Sequence, residues 1–421
     1  MINLENINTY EDFLKESRKL RLYIGIDMLK GYGPSLLNRD ADGMEKIVTV
    51  GGYPRTMVTS QCLKHAIRHA YGERHSIRTR RMPMLTAMAC SDLHEIPMDS
   101  AECKTVYLTA AALLDNCTVL DGDEPEAICK QAMFFDDGDF ESFSELILAN
   151  AKAKDKFEEY AAVYDRAIGS AKALKEAIAE CAKSDFVKDI KKVAAKVAET
   201  RYMGPDRALM GVFSTDEILR TVDSALYMNN AYSIGETQME SDFFSAMEEA
   251  VFGNRQMGSA YVDTCSMAAP ILYHSMRIDV GQYLVNIFRG IDMSDKTAVK
   301  KIYDTAVSRV LEFVRLFALT APEAKQHPMY TVPRPLALAA RISHSPAMLT
   351  MDNAFQTPIT NDIADTGVRL MLDFLGDNDW GDSDARKLWI SKVKSSDAKI
   401  ENVTLDGLLD VVREEIANEC N

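Results

Sequence analysis

The chain is 421 residues long, 47% hydrophobic and 26% charged, which is globular composition and enough sequence for about three domains. No run approaches the 18 uninterrupted apolar residues of a membrane-spanning helix, and the polar, acidic start MINLENINTYEDFLKE lacks the basic and apolar segments of a secretory signal, so a cytoplasmic protein is expected. The formal charge of −15 excludes loose, sequence-blind attraction to polyanions and confines any nucleic-acid binding to a local patch.

In chain order, the first pattern is a strand. Leu22, Ile24, Ile26 and Met28 alternate with Tyr23, Gly25, Asp27 and Leu29, which predicts burial mainly on one face, and Gly31-Tyr-Gly-Pro34 ends it. From Arg39 to Arg81 nine Lys or Arg stand against four acids, whereas from Asp121 to Asn150 nine acids stand against Lys130 alone. A basic and an acidic block in one chain point to different partners, or to a solvated acidic face. Between Ala151 and Glu199 apolar residues recur at helical spacing (Phe157, Tyr160, Ala161, Tyr164, Ile168; then Val187, Ile190, Val193, Ala194, Val197) and predict two or three alanine- and lysine-rich helices. Beyond Gly204-Pro205 the pattern becomes mixed, as in a sheet with helices, with an apolar run from Pro335 to Ala340. Thr404 is a plausible N-cap for an amphipathic tail helix carrying Leu405, Leu408, Leu409 and Val412.

The eight cysteines, at 62, 90, 103, 117, 129, 181, 265 and 420, contain no CxxC pair, so they read as reduced core thiols and a zinc ribbon is excluded. The sequence contains no GxSxG, P-loop or GxGxxG motif, and none of its seven histidines falls in a recognisable catalytic motif. Chemistry concentrates instead in Ser60-Gln-Cys-Leu-Lys-His-Ala-Ile-Arg-His-Ala-Tyr71. On a helix, Leu63, Ala66, Ile67 and Ala70 make a buried stripe, while Gln61, Lys64 and Arg68 share another face. The hydroxyls of Thr59 and Ser60 and the free N–H groups of a helix start would favour a phosphate there. His65 and His69 have the i, i+4 spacing of two metal ligands, but the nearest carboxylate in sequence is Glu73, and they read as basic-face or packing histidines with no metal. Asp121, Asp123, Glu124, Asp136, Asp137 and Asp139 lack the glycine and closing glutamate of an EF-hand and read as a solvated acidic loop; a metal-dependent hydrolase built on Asp121–Asp139 and a protein-only scaffold are the alternatives to nucleic-acid binding.

At Leu37-Asn38-Arg39-Asp40, Gly51-Gly52 and Thr59-Ser-Gln-Cys-Leu-Lys64 the chain resembles the CasC-type backbone subunit of the type I-E CRISPR surveillance complex Cascade. The resemblance continues, in the family's order, through Gly72-Glu-Arg-His-Ser-Ile-Arg78, Ala208-Leu-Met-Gly211, Asp242-Phe-Phe-Ser-Ala-Met-Glu-Glu249, Gly258-Ser-Ala260 with Thr264, Ala324-Lys-Gln326 and Asp352-Asn-Ala-Phe355.

The resemblance implies an α+β fold. Its parts would be an N-terminal extension (1–20), a ferredoxin or RNA-recognition-motif-like palm (21–80 with 200–360), a helical fingers insertion (81–199), a thumb loop near 208–222 and a C-terminal helical segment (361–421). It further implies a non-catalytic, cofactor-free subunit that polymerises along a guide RNA (crRNA) in antiviral defence. The partners would be the crRNA, the target DNA strand paired to it, neighbouring copies, and the large, small, Cas5-type and crRNA-processing subunits. Carried over by position, Arg39, Arg55, Thr59, Ser60, Gln61, Lys64, Arg68, Arg78 and Lys325 would contact nucleic acid, and Met210 or Phe213 would be the thumb's apolar wedge. Five apolar residues between Met210 and Leu219 fit either that wedge or a buried loop. Met57 departs from the family, which carries an arginine there.

Overall fold

The computed structural model describes residues 2–420 except 73–75, 137, 215, 248–258, 324, 348 and 378–383. The chain opens with α1 (Tyr10–Ser17), β1 (Tyr23–Gly31), the hairpin β2 (Ile47–Val50) and β3 (Tyr53–Val58), α2 (Ser60–His69) and β4 (Ser76–Thr79). A helix-rich stretch follows: α3 (Met82–His94), α4 (Ala101–Leu113), β5 (Cys117–Leu120), β6 (Glu126–Cys129), β7 (Met133–Asp136), α5 (Asp139–Leu148), α6 (Ala153–Ala167), α7 (Ala171–Cys181) and α8 (Asp185–Thr200). The chain returns through α9 (Pro205–Met210), β8 (Leu226–Met228), β9 (Ala231–Ser233), β10 (Glu240–Met247), β11 (Ser259–Met267), β12 (Ile271–Asp279), α10 (Val280–Ile287) and α11 (Lys296–Leu319). It finishes with β13 (Ala337–Ser343), α12 (Ile363–Gly376), β14 (Arg386–Ser391), β15 (Ile400–Asn402) and α13 (Leu405–Glu419).

This is a mixed α/β fold around a sheet ordered β15-β14-β13-β1-β12-β9-β3-β2, with β8 also on β12. All its pairings are antiparallel except β14 with β15. The alternation in β1 is real, but both faces of that strand are buried, not one. Leu22, Ile24, Ile26 and Met28 join Leu338, Ala340 and Ile342 of β13 under α10, α11 and α13, and Ile2, Ile7, Phe13 and Leu20 enter the same core. On the opposite face Leu29, Ala337, Ala339, Tyr273 and Trp389 pack under α12. The polar residue on that face is also accommodated: Asp27 is ion-paired with Arg277 at 2.9 Å and accepts a 2.6 Å hydrogen bond from the Tyr273 hydroxyl. Gly25 makes room for this arrangement, since a Cβ there would lie 2.9 Å from the Arg277 side chain.

Residues 82–194, together with Ile218 and Leu219, build a second core of their own. The periodic 151–199 segment is α6, α7 and α8, as its spacing predicts, but the insertion is not purely helical, because β5 pairs with β6 and β7 returns to pair with β4. The C-terminal region likewise adds β14 and β15 to the sheet, and Thr404 caps α13 by accepting from the Gly407 N–H at 3.1 Å.

The two cores meet at a buried seam of charge. Arg207 of α9 donates to Asp136 at 2.9 Å and Asp139 at 3.0 Å, Arg201 reaches Asp139 at 2.8 Å, and the Gly204 N–H donates to Asp136 at 2.9 Å. The neighbouring residue Asp206 pairs with Arg309 of α11 at 3.1 Å and accepts from Ser76 of β4 at 3.2 Å. Asp136 and Asp139 are therefore buried structural carboxylates, which corrects their reading as part of a solvated loop; Asp121, Asp123 and Glu124 are exposed, and Asp137 lies outside the described residues.

Burial pushes the Asp136 carboxyl up to about 6, against the opposing pull of Arg207. A raised folded-state value means that its stabilising contribution is complete below the unfolded value, about 3.9, and is lost as pH rises through 6. Asp136→Asn removes this proton linkage, so the slope of unfolding free energy against pH between about 4.5 and 6 should become more positive by up to about 1.4 kcal/mol per pH unit. Urea titrations of both proteins across that window measure it, and equal slopes would contradict the assignment.

Candidate nucleic-acid interface

The basic segment folds as a helix with Leu63, Ala66 and Ile67 buried, but Ala70, expected in the same stripe, is the exposed C-cap. Along α2, Leu63 packs with Tyr32, Leu37, Val58 and Ala321, and Ile67 enters the main core. Thr59 is the N-cap and accepts from the Cys62 N–H at 3.4 Å, its own N–H is held by Asn38 at 3.0 Å, and the Ser60 N–H is held by Asn230 at 2.9 Å. The Asn38 bond fixes the Leu37–Asp40 loop against the helix start, and the Asn230 bond ties the same turn to the segment between β8 and β9. They also correct the expectation of free donors, because the Ser60 and Cys62 N–H groups already have partners.

Arg39 is exposed, and it lines a surface cavity of about 490 Å³ with Asn38, Asp40 and Cys62, directly beside the first turn of α2. Gln61 is exposed and Lys64 half-buried, burial lowering the Lys64 pKa. Lys325, in the chain after α11, has a positive φ of 51° and its Nζ lies 2.8 Å from Cys265 Sγ on β11. Glu45 is buried in the Leu37–Lys46 loop and its carboxyl is pushed up to about 8, so at neutral pH it does not offset the nearby cations.

Two arginines expected here are placed elsewhere. Arg55 is fully buried and donates to the carbonyls of Ser233 at 2.7 Å and of Phe355 and Gln356 at 3.2 Å. It clamps the sheet edge to the loop before α12, and it is inaccessible to a phosphate. Gly51 serves the same junction: its φ is +61°, and a Cβ would lie 1.9 Å from the Gln356 carbonyl oxygen. Arg68 is 8% exposed and stacks 4.3 Å from the centre of the Phe134 ring on β7, a ring that Arg78 of β4 also approaches at 5.6 Å. It ties α2 to the β4–β7 ribbon. Arg78 itself is exposed, while the adjoining residues 73–75 lie outside the described ones.

Among the described residues, the 208–222 segment is anchored at several points. Val212 and Val222 bridge, Ile218 and Leu219 are buried in the second core, and Met210 packs on the first, which removes Met210 as a wedge. Phe213 is 76% exposed. The exposed arm is instead the separate ribbon β10–β11, where Phe243 is 68%, Phe244 41% and Tyr261 54% exposed and the Phe244 and Tyr261 rings lie 6.1 Å apart. Its outer residues 248–258, including Glu248, Glu249 and Gly258, lie outside the described ones, as does Ala324.

A further group escaped the sequence reading. Glu323, exposed after α11, faces His65 and His69, whose ring centres are 4.2 Å apart. Burial and the neighbouring His69 lower the His65 pKa.

The mixed α/β fold thus carries a polar surface cavity beside the capped helix α2 and, separately, an exposed aromatic ribbon. The chain belongs to the CT1975-like protein family of Cas proteins, which it matches over residues 24–412. The family assignment bears out the resemblance to a Cascade-type backbone subunit. In fold the chain is similar to a solved "CRISPR RNA-guided surveillance complex, pre-nicking" chain at 18% identity and TM-score 0.65, covering 93% of this chain and 99% of that one. It is also similar to a "CRISPR RNA-guided surveillance complex" chain at 15% identity and TM-score 0.58, with the same coverage of 93% and 99%. No curated protein matches it in sequence. Among the described residues no helix is long and apolar enough to cross a membrane.

Arg55→Ala leaves several buried carbonyls without a donor and should cost roughly 2–4 kcal/mol of stability. Phe213→Ser, on an exposed side chain, should change stability by less than about 0.5 kcal/mol. Denaturant midpoints of the two variants test this contrast, and a large loss for Phe213→Ser would show that the segment is core.

Proposed function

We propose that this chain is a non-catalytic subunit that holds a guide RNA by its backbone, in a Cascade-type complex of the type I-E kind, as one of several copies along the strand. The observation that carries this reading is the placement of exposed Arg39 in a surface cavity against the first turns of α2, which carry Gln61 and Lys64. In this reading Thr59, Ser60, Arg78 and Lys325 also contact the RNA. Cations without base-reading geometry bind phosphates irrespective of sequence, as a guide holder requires, because base pairing and not the protein then reads the target. The net charge of −15 agrees with this, since an acidic exterior limits stray binding outside the cleft.

In this reading the sheet is an RNA-recognition-motif-like palm, the 81–199 insertion forms the fingers and the β10–β11 ribbon takes the place of the thumb. Both faces of the sheet centre are covered, so the strand would run along the loop edge and not over bare strands. Exposed aromatics on a two-stranded ribbon are unfavourable in water, and stacked bases or a neighbouring copy would cover them. The DNA target, the other subunits and a cytoplasmic location follow from the same reading.

Arg39→Ala with Lys64→Ala should weaken binding to unrelated RNA sequences equally and reduce the slope of log affinity against log salt by about 0.7 for each lost contact. Phe243→Ala with Tyr261→Ala should weaken binding with the slope unchanged, because stacking releases no counterions. Salt titrations with two RNAs of different sequence measure both. An unchanged slope in the first pair would remove α2 from the RNA groove.

A further inference from the structure

The i, i+4 histidines of α2 gain their third partner from the far end of the chain. The side-chain ligand atoms of His65, His69 and Glu323 all lie within 4.8 Å of one another, and all three residues are exposed. The placement has a structural cause: Ala321 is buried in the cluster that holds Leu63 of α2, so the chain leaving α11 is pinned against the helix two residues before Glu323. We propose that His65, His69 and Glu323 form a binding site for a divalent transition-metal ion, with zinc as the best-fitting occupant.

The donor set decides the class of ion. Two imidazoles and one carboxylate are a zinc ligand set, whereas magnesium and calcium require oxygen ligands. Tetrahedral zinc with ligands at about 2.0–2.1 Å places ligand atoms about 3.4 Å apart, so the three groups need to close by at most about 1.4 Å, which exposed side chains achieve by small rotations. Three protein ligands leave one position for water. Arg68 and Arg78 make the surroundings cationic, and Glu323 is the one carboxylate in the cluster, so an anion in the open position would balance the charge. On the reading of α2 as an RNA face, that anion is a phosphate oxygen; the metal site itself does not depend on that reading.

The test uses the full-length chain, stripped with chelator and kept reduced. Zinc is titrated against a chromogenic indicator, and cobalt is added separately as a spectroscopic probe. One equivalent should bind, with cobalt giving tetrahedral d–d bands and no thiolate charge-transfer band. His69→Gln and Glu323→Gln should each weaken it by more than the roughly 10–100-fold that losing a supporting partner costs at zinc sites, while His94→Gln, on an exposed side chain at the end of α3, should not. Retention of the full equivalent in both variants, or a thiolate band, would overturn the proposal. RNA titrations with and without zinc separate the two ideas: RNA binding with no zinc site overturns only the metal, and a zinc site without RNA binding overturns only the guide-holding role.

Discussion

Two consecutive residues of opposite charge, Asp206 and Arg207, hold the halves of this molecule in register. Arg207 is buried against Asp136 and Asp139 on the insertion side, while Asp206 is buried against Arg309 of α11 and Ser76 of β4. Arg309 in turn stacks on Tyr71 just after α2, with its guanidinium carbon 4.1 Å from the ring centre. Separating the cores would leave several charges buried without partners, a far larger cost than the bonds contribute while intact. The orientation of α2 relative to the insertion is thereby fixed from beneath, and the exposed face of the helix is left free for a ligand.

The same logic separates the cations that serve the fold from those that can serve binding. Arg55 and Arg68 are engaged inward, by carbonyls and by an aromatic ring, whereas Arg39 is exposed. A local excess of positive charge in sequence does not distinguish these cases. Arginine is suited to both, because its planar fork can satisfy several carbonyls at once or stack on a ring while remaining charged.

What could be read from the sequence was local. The β1 alternation, the apolar stripe of α2, the three helices between 151 and 199 and the Thr404 cap each depend on neighbours within a few residues, and each is present. What could not be read depended on distant partners. The second buried face of β1 needed α12, more than 300 residues later, and the burial of Asp136 and Asp139 needed Arg207. The thumb segment is a related case: an apolar run between Met210 and Leu219 has the same composition whether it projects or joins two cores, and the tertiary packing buries Ile218 and Leu219 while leaving Phe213 exposed.

The histidine pair shows how closely that limit bears on chemistry. Spacing alone placed His65 and His69 on one helical face, but two ligands do not define a metal site, and the residues adjacent in sequence supplied no third. The third donor lies beyond the long helix α11, and it is brought back by burial of Ala321, an apolar residue without chemistry of its own. A core contact thus decides whether a surface pair remains two ordinary histidines or becomes part of a coordinating triad. The same contact carries Lys325 towards the base of the aromatic ribbon. The segment after α11 therefore joins helix, cleft and ribbon into one face, and the hydrophobic seating of that segment, more than the count of basic residues, determines what the face can bind.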